Sequence, residues 1–238
     1  MMLRQSFTQR ILVSGLFLMF LVAFIMLVKK ENISFLSQLS LGLRSKDSTG
    51  SIKDSTGSIK DSSKSSDPCF SQKTCDEDSF NFYIQSGAAN VLAAKICVQN
   101  KMVLGGALNN AGSGINIVIL NGKTAEVIKM EHFNMYSGDV KPLIDFLTNI
   151  EKGSIVLMAS FDEPSTKLND EARKLIADLG SSQVKSLGYR DNWVFVGGKG
   201  ATGYTSFEKI MKNDNAKNKY DNWPELISLD GCIPKYLE

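Results

Sequence analysis

The 238-residue chain carries a single histidine, only four cysteines and a net charge of no more than +2. One histidine, His132, rules out a metal site built on several imidazoles. A Ser-His-Asp arrangement would need His132 to meet a serine and an aspartate that no local pattern supplies, and an ordinary strand-end histidine is the simpler reading. Lysines alternate with Asp and Glu, so no basic face or stripe stands out and nucleic acid is not an expected partner. The run Gly197-Gly198-Lys199-Gly200 lacks the Gly-Lys-Ser/Thr ending and the following helix of a phosphate-cradling loop. Gly112-x-Gly114 lacks the third glycine of a dinucleotide fingerprint. Neither a metal nor a cofactor is expected.

One long apolar run is present, residues 11–28, uncharged and punctuated only by Ser14 and Gly15. Arg4 and Arg10 precede it, and a basic flank keeps the amino terminus cytosolic while the rest crosses. Two readings fit residues 1–30, a cleaved signal peptide and an uncleaved signal anchor. Membrane contact is expected through this segment alone. Asn32-Ile33-Ser34 follows as an N-glycosylation acceptor pattern on the luminal side. Cys69, Cys75, Cys97 and Cys232 all lie beyond the run, which predicts a disulfide-stapled domain in an oxidising compartment, reached through the ER and Golgi. Spacing leaves three pairings open, and bridging removes thiolate nucleophiles.

Residues 31–67 read as a disordered tether. The heptapeptide KDSTGSI occurs at 46–52 and again at 53–59, with a degraded copy at 60–66. Ser, Thr, Gly, Lys and Asp cannot bury enough apolar surface to offset the entropy of ordering. One apolar residue per seven is also too few for a coiled coil. Residues 68–236 then form one domain of ordinary size.

Within that domain, alternation predicts a strand at 80–85, and β-prone residues continue the pattern at 96–104. Two β-branched runs, 115–120 and 125–130, flank Asn121-Gly122 and predict a hairpin. Val140, Leu143, Ile144, Leu147 and Ile150 paint one face of a helix, with Ser137 or Asp139 as cap and Gly153 beyond its end. The wholly apolar segment 155–159 suits a buried sheet centre. A second helix is predicted at 168–179 with Gly180 just past it, then a strand at 193–196, a short helix at 207–211 and a last strand at 226–229. Strands and helices mix without regular alternation, so the fold class is α+β.

Seven segments occur in order: SGAAN at 86–90, GSGIN at 112–116, NGKT at 121–124, FNMYSGD at 133–139, TKLNDEAR at 166–173, ADLGS at 177–181 and GYRDNWVFVGGKG at 188–200. This string resembles the secreted family with sequence similarity 3, over residues 69–234. The resemblance implies two antiparallel β-sheets packed as a sandwich with short flanking helices, a GG-type lectin-like domain, and cytokine-like signalling. A related module serves as the sugar-recognising stem of a Golgi glycosyltransferase. The resemblance also implies Cys69 paired with Cys97 and Cys75 with Cys232. Val196 stands where some relatives carry an extra cysteine, which removes one route to a covalent dimer, and a monomer is expected. Ser113 stands where relatives commonly carry Arg; in the sugar-recognising stem that Arg, with residues matching Asp162 and Arg190, lines the pocket.

Arg190 and Asp191 precede a strand containing Trp193, an arrangement that suits sugar recognition. A guanidinium offers a planar fork of donors, and an indole face stacks on a pyranose. The competing reading has Arg190 and Asp191 bonded to each other or to loop carbonyls while Trp193 fills the core. Asp162-Glu163 follows the apolar strand, where binding groups collect, yet could equally solvate a loop ahead of Pro164. Asp162 with another acid is also the one formal glycosidase arrangement. Asp170 and Glu171 read as first-turn helix acids. The expected function is a non-enzymatic, secreted or type II membrane-tethered signalling protein recognising a cell-surface receptor or glycan, with a Golgi or extracellular lectin module as the alternative.

Overall fold

Alternating β-branched and aromatic residues become strands wherever one face of the chain can be buried, and they dominate here. A computed structural model describes Cys69 and residues 74–235. The apolar leader, the acceptor Asn32 and the repeat tether lie outside the described residues. Among the described residues, nine strands and two α-helices follow in the order β1 Ser79–Gln85, β2 Lys95–Val98, β3 Lys101–Leu104, β4 Gly114–Asn121, β5 Val127–Phe133, α1 Lys141–Thr148, β6 Ser154–Phe161, α2 Asp170–Ala177, β7 Asn192–Gly198, β8 Glu208–Met211 and β9 Ser228–Pro234.

The strands form two antiparallel sheets, ordered β3-β2-β1-β9 and β5-β4-β6-β7-β8. The five-stranded sheet is buried on both faces at its centre. Ile115, Ile117, Val156, Met158, Trp193 and Phe195 join Leu143, Leu147, Ala172 and Ile176 of the helices in one core. The intervening residues Val118, Leu120, Leu157, Ala159, Val194 and Val196 pack with Phe82, Ile84 and Ile96 of the other sheet in a second core. Side chains alternate sides along a strand, so a strand covered on both faces must be apolar throughout. That is why 155–159 reads as one uninterrupted apolar run. The result is a sandwich with helices on its outer face.

The helices end as local chemistry requires. Asn169 accepts a hydrogen bond from the Ala172 N–H and caps α2, whose first turn carries Asp170 and Glu171. At α1 the Asp139 carboxylate accepts from the Lys141 N–H, while Val140 holds the cap position. Three strand expectations need adjustment. The stretch 96–104 is a hairpin whose turn residues Gln99 and Asn100 both have positive φ, as a tight two-residue turn demands. The Asn121 hairpin is wider than two residues: the Ala125 N–H bonds to the Asn121 carbonyl, and β5 starts at Val127. The last strand runs over Ser228–Pro234, later than 226–229, because Ile227 is tied to Ser86 ahead of the ladder.

The expected helix at 207–211 is instead edge strand β8. Phe207, Ile210 and Met211 mimic helical spacing, but Glu208–Met211 pairs with Asn192–Phe195 of β7. The Glu208 carboxylate fixes that strand by accepting from Ser181 Oγ, Ser182 Oγ, two backbone N–H groups and the Trp193 indole. Tertiary pairing overrides a five-residue pattern.

Cys69–Cys97 and Cys75–Cys232 are bonded, the pairs implied by the resemblance. The second closes 157 residues and holds β9, which is hydrogen-bonded along the whole of β1, to the start of the domain. Gly231 in β9 leaves room for its neighbours, since a Cβ there would approach the Phe207 and Phe82 rings to 2.8 and 3.0 Å. Replacing Cys75 and Cys232 together by alanine should lower stability by about 4–5 kcal/mol on loop-entropy grounds. Chemical denaturation checks this, and a change below about 1 kcal/mol would show that the bridge does not constrain the chain as described.

Candidate functional site

β4 begins, β6 ends and β7 begins at the same end of the five-stranded sheet. Gly114 pairs with Phe161, and Ala159 pairs with Val194. The antiparallel ladder therefore brings Ser113, Asp162 and Arg190, each just outside its strand, to one rim. The turn before β4 is held by Asn116, fully buried, whose amide accepts from the Gly112 N–H and donates to the Gly112 carbonyl. Gly114 is obligatory in that turn, with φ of +103° and a Cβ that would sit 1.9 Å from the Phe133 carbonyl oxygen. His132, the only histidine, packs its ring against Gly112 beside the same turn.

The other sheet delivers two further segments to this rim. The Gly87 N–H bonds to the Ser160 carbonyl, and the Ser86 N–H and Oγ both engage Ile227. Asn192, buried, donates to the carbonyls of Pro224 and Glu225. Residues 86–92 and 220–227 are thereby tied to the start of β7 and the end of β6. Four residues around the rim, Ala89, Asp162, Arg190 and Asp221, hold positive φ without being glycine. Such backbone costs of order 1 kcal/mol each and persists only where surrounding contacts impose it.

Arg190 does not bond to Asp191. The Asp191 carboxylate is 3% exposed and accepts from the Gly188 N–H, the Asn213 N–H and Lys212 Nζ, the last at 2.8 Å. It is a loop organiser. The Arg190 guanidinium instead lies 3.9 Å from the centre of the Trp223 ring and 4.9 Å from that of Tyr189, in cation–π contact with both. Trp193, the expected stacking face, is fully buried on the helix side of the sheet, stacked on Phe195 at 5.6 Å, with its indole N–H on Glu208. Strand alternation turns it away from the rim. The aromatic faces beside Arg190 are Trp223 and Tyr189, with Trp223 the nearer.

Glu163 is buried as well and accepts from the Ser165 N–H, the Ser165 hydroxyl and the Thr166 N–H. Asp162 and Ser113 are half-buried and make no side-chain hydrogen bond among the described residues. The rim thus presents one carboxylate, one guanidinium on an indole, and one hydroxyl. Gly197 and Gly198 belong to β7 itself, where the Gly198 N–H meets the Leu179 carbonyl. Next to Asn213, the Asp214 carboxyl sits below the usual carboxylate range, first because the Ala216 N–H bonds its charged form and then because of Lys217. That contribution is present above the unfolded-state pKa and is lost as pH falls through the lowered one.

With this geometry in place, comparison with known proteins identifies the lineage. The family model for the interleukin-like EMT inducer matches residues 113–201, which include Ser113, Asp162 and Arg190. Protein FAM3C of Danio rerio is 56% identical over 166 residues, 70% of this chain and 73% of that protein. Protein FAM3C of Homo sapiens is 51% identical over 167 residues, 70% and 74% of the two chains. The chain belongs to the FAM3 family. Protein FAM3D of Homo sapiens is 49% identical over 162 residues, 68% and 72% of the two chains.

Sequence reasoning about this FAM3 domain missed Trp223 and the buried polar set Ser86, Asn116, Ser160 and Asn192. A tryptophan directly ahead of Pro224 in an otherwise polar tail is the one signal that could have flagged the first. Single polar residues inside apolar strands could have flagged the rest. Replacing Asp191 by alanine leaves the Gly188 and Asn213 N–H groups without their acceptor and should cost about 2–3 kcal/mol, while the half-exposed Lys212 keeps its bond to the Ser186 carbonyl. Urea denaturation measures it, and a loss under about 0.5 kcal/mol would mean the carboxylate does not hold the Arg190 loop.

Proposed function

We propose that this FAM3 chain is a cytokine-like signalling protein that acts without catalysis, by recognising a cell-surface receptor or glycan through the rim at Ser113, Asp162 and Arg190. The observation that carries the reading is the placement of these three residues, two of them at positive φ, on tethered loops at one end of the five-stranded sheet. Binding groups collect on loops fixed by a scaffold. Kinship with the interleukin-like family model supports the signalling half of the reading. Glu163 and Asp191 are committed to loop N–H groups. Hydrolysis by a carboxylate pair would therefore need a partner for Asp162 other than its neighbours in these loops.

Two disulfides in the described domain favour an oxidising compartment. We take the chain to be exported through the ER and Golgi and either secreted or held as a type II membrane protein by its leader, as a monomer. A lectin reading draws on the same rim, since Arg190 and Asp162 suit sugar hydroxyls. Ser113 in place of the expected Arg removes one donor from it.

The test is saturable binding to cells. Arg190→Gly is the informative variant, because glycine accepts the φ of 59° found there without strain. Affinity should fall about tenfold or more, as loss of a charge-assisted hydrogen bond implies, while the melting temperature is unchanged or higher. Wild-type chain that binds no cell saturably would overturn the proposal. A glycan array read with the same pair separates the two ligand classes, since sugar binding abolished by the substitution favours the lectin.

A further inference from the structure

Among the described residues, four strands lie at sheet margins. β3 and β8 are only four residues long, and β9 ends in Pro234, which has no N–H to offer. β5 is seven residues long and borders the five-stranded sheet. Val127, Ile128, Lys129, Glu131 and His132 are exposed on it, and Met130 is half-buried. A margin strand presents a row of backbone groups ready to pair with another strand. Residues 129–133 stay in unbroken register with β4, and Ile128 is the extra residue of a bulge that closes off the stretch.

Alternation decides which backbone groups are open. In an antiparallel ladder, successive residues bond toward the neighbouring strand and away from it in turn. The Glu131 carboxylate bends round the edge and accepts from the His132 N–H at 3.1 Å, so His132 bonds outward and Met130, two residues earlier, does too. Lys129 and Glu131 bond inward to β4 and belong to the helix face, where Lys129 Nζ lies 4.7 Å from the centre of the Phe146 ring.

Only outward-bonding residues pair across the edge, so a second antiparallel copy has few registers open to it. A two-fold axis through Met130 bonds Met130 of one copy to Met130 of the other and sets Lys129 of each opposite Glu131 of the other. Sliding by two residues one way places Glu131 against Glu131, and the other way Lys129 against Lys129, so like charges oppose each other directly. Charges on a margin strand ordinarily deter pairing, but a lysine and a glutamate placed symmetrically about Met130 neutralise each other in this one register.

We propose that β5 is the docking edge for a second copy of this chain, joined antiparallel about Met130 so that the two five-stranded sheets run on as one, with Lys129 and Glu131 setting the register. The Glu131 carboxylate leaves the His132 N–H to meet Lys129 of the other copy, which frees that donor for the new ladder. The contact is short and belongs to the weak class of interfaces, so dilute chain stays the monomer proposed above and pairing sets in at about 100 μM or higher. Because the strands run antiparallel, the two rims face opposite ways. The inference goes beyond the recognition reading, which its failure would leave intact.

Sedimentation velocity of the full-length chain in detergent micelles, over a wide range of concentration, reads the association. Lys129→Glu and Glu131→Lys each oppose like charges at both pairs, and either should weaken association about tenfold or more. A mixture of the two variants restores opposite charges at both pairs, since one copy then carries two glutamates and the other two lysines, and it should associate about as tightly as wild type. Recovery in the mixture also shows that both variants are folded. Wild-type chain that stays monomeric at the highest concentration overturns the proposal. Association that the single variants leave unchanged belongs to another surface or to the apolar leader and overturns it too, as does a mixture that associates no better than either variant alone.

Discussion

Buried polar side chains at one end of the sandwich are the constraint on which everything functional depends. Ser86, Asn116, Ser160, Asp191 and Asn192 are all buried. Each is satisfied by the backbone of a loop or of a neighbouring strand. A buried polar group that lost its partner would cost about 1–3 kcal/mol, so every such bond penalises any other path for the segment it touches. Apolar burial makes the two sheets associate, but it is indifferent to the course of the connecting loops. The polar set decides that course.

The consequence is a rim whose backbone can be held in unfavourable conformations. Asp162 and Arg190 adopt positive φ because the strands and pins on either side leave no alternative. Arg190 then projects onto Trp223 from a segment fixed through Asn192. The segment just after Trp223 is joined to β7 by the Pro224 and Glu225 carbonyls, which accept from Asn192, and the 86–92 loop is joined through Ser86 and Gly87 to Ile227 and β6. Loops from both sheets thus act as one surface, although they are far apart in sequence. Preorganisation of this sort reduces the ordering entropy lost on binding.

Much of the fold was legible because its dominant signals are local. The 155–159 run reads as a doubly covered strand, and it forms the middle of the sandwich. The helical stripe at Val140, Leu143, Ile144 and Leu147 follows from 3.6-residue periodicity. What was not legible depended on pairing at a distance. Five residues at 207–211 carry no period long enough to separate helix from edge strand, and β7 decides between them. The site was half legible. Ser113, Asp162 and Arg190 came from resemblance, and the ladder register brings them to one rim. Trp193 stands out because it neighbours Arg190 in sequence, whereas alternation along β7 sends it to the opposite face and the aromatic partner comes from a segment 33 residues later.

Amide hydrogen exchange tests the central claim most directly. The N–H groups of Gly112, Gly188, Asn213 and Ile227 lie in loops or at element boundaries, yet each donates to Asn116, Asp191 or Ser86. If the polar set fixes the rim, these amides should exchange only through opening events close to global unfolding, as slowly as amides within β4 and β6. Exchange at the rate of ordinary exposed loops would contradict the account.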